Sequence, residues 1–98
     1  MKLIELAKIL RSKNAGPLFI TFDLIFDNAE KLDYVMNHLQ KGMISAAYDV
    51  NPEDIDIIEF RVVNAIKITF PRKNISGSLL DTDIYGCQMQ KPLSEIEV

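Results

Sequence analysis

The chain has no tryptophan, a single cysteine (Cys87) and a single histidine (His38). One thiol cannot close an internal disulfide, which fits a reducing compartment and leaves the fold to be held by its core. With one His and one Cys, neither a zinc site nor a Ser-His-Asp triad is expected, and a Cys87–His38 pair stays open as an alternative. No neighbouring cation marks Cys87 as activated, so it reads as an ordinary small side chain. No apolar run approaches the roughly 20 residues that span a bilayer. Glu5 and Lys8 interrupt the first apolar residues, so no signal-peptide core is expected. Low-complexity segments, long linkers, internal repeats, a GxxxxGK[ST] phosphate loop and a GxGxxG fingerprint are also missing. These absences point to a cytoplasmic protein with no membrane span, no metal and no cofactor.

What is present is one domain, residues 1–98. At this size roughly 60–70% of the extended surface can be buried, enough for a modest core. Apolar residues make up 48% and charged residues 26%, the balance of an ordinary globular chain. The net charge of −3 conceals a pattern. Residues 1–20 hold Lys2, Lys8, Arg11 and Lys13 against Glu5 alone. A strongly acidic middle follows, and then Arg61, Lys67, Arg72 and Lys73 occur with no acid among them. Overall acidity excludes nonspecific nucleic-acid binding. No aromatic platform is interleaved with basic residues, and the RNP signature of RNA-recognition domains is lacking. The two basic segments either converge in space on an anion or are scattered, solvated charge.

Residues 3–10 fit a short helix or a strand about equally. Leu18, Ile20, Phe22, Leu24 and Phe26 alternate with Phe19, Thr21, Asp23 and Ile25, a strand with one strongly apolar face. Asp27-Asn28-Ala29-Glu30 predicts a helix start capped by Asp27. Ala29, Leu32, Val35, Met36 and Leu39 form its apolar stripe, and Lys41-Gly42 ends it. His38 falls late on its polar side, a surface position. A shorter helix is expected around Ile44–Tyr48, then a turn at Asn51-Pro52-Glu53-Asp54. Ile58, Phe60 and Val62, then Ile66, Ile68 and Phe70, give two neighbouring strands turning at Val63-Asn64-Ala65 and stopped by Pro71. Residues 72–92 read as one long polar loop, and 93–98 as a closing edge strand. The order predicts an α+β two-layer sandwich, an antiparallel sheet with helices on one face, ferredoxin-like in the loose sense.

The segment Arg11-Ser12-Lys13-Asn14-Ala15-Gly16-Pro17 puts two cations, a hydroxyl, an amide and a Gly-Pro turn before a strand. Arg offers a planar donor fork and Lys a point charge, both suited to carboxylate or phosphate. It reads as either a polar loop forming an anion site or a solvated turn. Asp81 and Asp83, spaced i, i+2, point the same way in an extended segment. They read as an acid/base or cation-holding pair, or as a flexible acidic loop.

Residues 11–17, Thr21-Phe22-Asp23-Leu24-Ile25-Phe26, Ala65-Ile66-Lys67-Ile68-Thr69-Phe70-Pro71-Arg72 and Asp81-Thr82-Asp83-Ile84-Tyr85-Gly86 together resemble a family of short bacterial proteins. That family looks like the small ferredoxin-like companion of acyclic terpene utilisation A (AtuA-type) proteins. The resemblance implies an accessory subunit, not catalytic alone, that works with a larger AtuA-type partner on small organic acids or acyl-coenzyme A thioesters. Positions matching its polar motifs are Arg11, Ser12, Lys13, Asn14, Arg72, Asp81, Asp83, Tyr85 and Gln88. Cys87 departs from the family's usual small residue. The alternatives are a stand-alone enzyme using Asp81, Asp83 and Arg11 on a small carboxylate, or a homo-oligomeric anion-binding module.

Overall fold

A computed structural model describes residues 1–16, 18–71 and 90–98. In chain order the elements are α1 (Leu3–Leu6), β1 (Ala7–Asn14), β2 (Phe19–Phe26), α2 (Ala29–His38), α3 (Lys41–Tyr48), β3 (Asp56–Phe60), β4 (Ala65–Pro71) and α4 (Gln90–Ser94). The strands form one antiparallel sheet in the order β1-β2-β4-β3. This is the α+β class expected from the sequence. The likeness to a ferredoxin-like fold is one of layers. Its βαββαβ order places a helix after the first strand, whereas here the short turn after Asn14 admits no crossover helix, so β1 pairs directly with β2.

The core lies on one face of the sheet. Ile20, Phe22, Leu24 and Phe26 of β2 and Ile66, Ile68 and Phe70 of β4 are buried against Leu32 and Val35 of α2, Ile44 of α3, Leu93 of α4 and Leu3 and Leu6 of α1. Phe22, Phe70 and Tyr48 form an aromatic cluster with ring centroids 5.1–5.5 Å apart. Residues 3–10 divide between the two expected forms, one turn of helix and then a strand. The register shifts between Ala7 and Ile9. This bulge lets Ala7 and Leu10, three residues apart, both pack against the core.

Several local expectations are corrected. Asn28, not Asp27, caps α2, its Oδ1 accepting from the Lys31 amide at 2.9 Å. Asp27 pairs instead with Lys31 Nζ at 3.4 Å. The helix ends at His38 because Leu39 and Gln40 are extended, and Lys41-Gly42 opens α3 rather than closing α2. In β3 it is Ile57 that stands opposite buried Ile68, so Ile58 and Phe60 face outward, and Val62 lies fully exposed in the turn. That turn is closed by Asn64 in the left-handed conformation (φ 52°). Residues 93–98 do not form an edge strand. Leu93, fully buried, belongs to α4, and only a single bridge, Lys2 to Glu97, follows. Residues 72–89 of the expected loop lie outside the described residues, and residues 90–92 begin α4.

Candidate functional site

The segment expected as one polar loop is mostly strand. Arg11 to Asn14 complete β1, and the turn begins at Ala15, whose amide donates to the Phe19 carbonyl at 3.0 Å. Gly16 takes φ 81°, a conformation that favours glycine. Strand alternation then separates the candidates. Arg11 pairs opposite Asp23 and Lys13 opposite Thr21, on the face turned away from the helices. Ser12 stands opposite Phe22 on the core face, where it is buried. Asn14 is the last residue of β1, opposite Ile20. Arg72, Asp81, Asp83, Tyr85, Gln88 and Cys87 lie outside the described residues.

The registers assemble the face turned away from the helices into rows across all four strands. Arg11, Asp23, Lys67 and Ile58 form the middle row. Lys13, Thr21, Thr69 and Asp56 form the row at the end of the β1–β2 turn. Ile9, Ile25, Ala65 and Phe60 form the row at the opposite end. Arg11 Nε lies 3.5 Å from Asp23 Oδ2. Lys67 flanks Asp23 from the other side, so a cation from each basic segment borders one carboxylate. The buried Thr21 hydroxyl meets that of Thr69 at 3.2 Å. At the turn end, Pro71, the residue before Arg72, pairs with Phe19.

Not every basic residue joins this face. Arg61 reaches Asp33 of α2 at 2.6 Å and also contacts Glu59. The hydrogen bond to Asp33 raises the guanidinium further above its usual range. Lys2 bonds Glu95 at 2.8 Å, which raises the ammonium above its ordinary value. Acidic partners absent from the local sequence are therefore supplied by the fold. His38, exposed at the end of α2, stacks on Tyr34 at 4.1 Å with its Nδ1 2.7 Å from the Tyr34 carbonyl oxygen. Beside the helices, burial pushes the Tyr48 phenol up, although the Leu93 amide donates to its oxygen at 2.9 Å.

Asp23 and Lys67 are charged members of the middle row that sequence reading left out of the candidate set. Their signal was present: each is the polar residue in an apolar alternation, Phe22-Asp23-Leu24 and Ile66-Lys67-Ile68. Among the described residues no three His, Cys, Asp or Glu side chains are grouped to hold a metal ion, and no helix is long and apolar enough to cross a membrane. No curated protein and no solved structure matches the chain. Residues 3–97, however, match one family throughout, and the chain belongs to the family described as domain of unknown function (DUF4387).

Proposed function

We propose that the chain is an accessory small subunit of a larger catabolic enzyme of the AtuA type, acting on small organic acids or acyl-coenzyme A thioesters. Its own contribution is an anion contact from Arg11 and Lys13 on the outer strand, with Asn14 and Arg72 as further candidates. The observation that supports this reading is the convergence of the two basic segments. The first supplies Arg11 and Lys13 on the outer strand, and the second leaves β4 at Pro71 beside Phe19, at the same end of the sheet. Guanidinium and ammonium groups side by side suit a carboxylate or a phosphate. Co-expression with a large AtuA-type protein tests the reading. Co-elution of the two is expected, with turnover of an acyl thioester only in the complex and weakened by Lys13→Glu. A chain that elutes alone at micromolar concentration, or that turns over the thioester by itself, overturns it.

A further inference from the structure

The open face of the sheet is patterned in a way that anion binding does not explain. It carries four large apolar side chains well exposed, Ile9 at 40%, Phe19 at 43%, Ile58 at 49% and Phe60 at 46%. Among the described residues the helices all pack on the other face, with the core. The row far from the β1–β2 turn is apolar, the other two rows carry the charges with Ile58 among them, and unlike charges stand at matched positions.

We infer that this face packs against the same face of a second copy, about a two-fold axis parallel to the strands and passing between β2 and β4. The reason is charge and shape complementarity of the rows with themselves. Such an axis keeps each row over its own copy and exchanges β2 with β4. Asp23 then faces Lys67 of the second copy. At the outer strands Ile9 meets Phe60, and Lys13 meets Asp56. The stem of Arg11 lies over Ile58, a contact an arginine makes through its methylenes while its head stays at the rim. A two-fold axis across the strands does the opposite: it sets Asp23 on Asp23 and Lys67 on Lys67, which like-charge repulsion forbids. The first arrangement allows the ordinary crossing of about 30° between stacked sheets. Four strands about 4.8 Å apart and seven paired residues of about 3.4 Å each give a face of roughly 19 by 24 Å. That is small for a stable interface, whose partners each bury about 800 Å², so the dimer forms in the micromolar range. This inference does not rest on the proposed enzyme partnership, because it concerns the chain alone.

Analytical ultracentrifugation of the full chain under reducing conditions, which keeps Cys87 out of the result, is the test. A species of twice the 11.1 kDa chain mass is expected as concentration rises through the micromolar range. Asp23→Lys places four cations at the centre of the interface, and Lys67→Asp places four anions there. Each variant alone is expected to self-associate ~10-fold more weakly or worse. Mixing the two variants restores both contacts, because every facing pair at the centre then joins one lysine to one aspartate, so a heterodimer re-forms. No intramolecular effect of either substitution produces that recovery. Phe60→Ser, an exposed position that does not threaten folding, is expected to weaken association independently. A wild-type chain monomeric at high micromolar concentration overturns the inference. So does a mixture that fails to associate from two folded variants, or a dimer indifferent to both Phe60→Ser and the charge reversals.

Discussion

The two faces of strand β2 are built from neighbouring residues and behave differently. Ile20, Phe22 and Leu24 have no exposed surface at all, and Phe26 has 2%. Between them Phe19 is 43% exposed, Asp23 and Ile25 are partly exposed, and Thr21 is buried, its hydroxyl bonded to that of Thr69. One face is a continuous apolar layer closed by helices. The other carries charge, hydroxyl and hydrocarbon together. A core needs only apolar volume, and order among its residues is enforced by packing.

The contrast can be broken most forcefully on the inner side. Phe22→Ala removes a fully buried ring stacked on Phe70 at 5.5 Å and tilted against Tyr48 at 5.4 Å. A loss of about 3–5 kcal/mol is expected in denaturant unfolding. Tyr48→Phe is expected to cost about 1 kcal/mol, because the Leu93 amide loses its acceptor. Its sharper readout is pH. Burial raises the Tyr48 pKa above the unfolded value of 10.0. The stability linked to the neutral phenol is therefore full below pH 10 and declines as pH rises toward the folded pKa. Lys2, raised above 10.5 by its hydrogen bond to Glu95, declines in the same direction. Unfolding of the wild type should therefore become easier above about pH 10, with a shallower slope in Tyr48→Phe. A matching slope in the variant would remove the phenol from the account. On the outer side the smallest effect is expected. Phe60→Ser should change monomer unfolding by less than about 0.5 kcal/mol, as at ordinary surface positions, while association suffers. A large loss of monomer stability would show that the outer face also belongs to the core.

Strand β2, helix α2 and the turn at Asn64 were legible because each had a single periodic solution. In β2 only the even residues are uniformly apolar, and in α2 only Leu32, Val35 and their neighbours form a stripe. Strand β3 was misread in phase. Ile55, Ile57, Ile58 and Phe60 are all apolar, so alternation fits both faces, and pairing of Ile57 with Ile68 decided between them. The C-terminal residues were misread in period, since six residues alternate acceptably. Yet Leu93 and Ile96 have helical spacing, and Leu93 fills the core between α1 and α3. At the candidate site, residue types were readable and grouping was not. Ser12 went to the core because strand alternation puts it on the opposite side from Arg11 and Lys13.

The sequence by itself determined the class of fold, the inner face of the sheet and the presence of two basic segments, because periodicity and composition are local properties. Only the tertiary structure decided which charges meet. Arg11, Asp23 and Lys67 lie on three strands, and a shift of one residue in either register would send a strand's polar side chains to the other face. That register is fixed by burial of Phe22, Leu24, Ile66 and Ile68 on the inner side. Packing against the helices therefore set the pattern of the face they leave open.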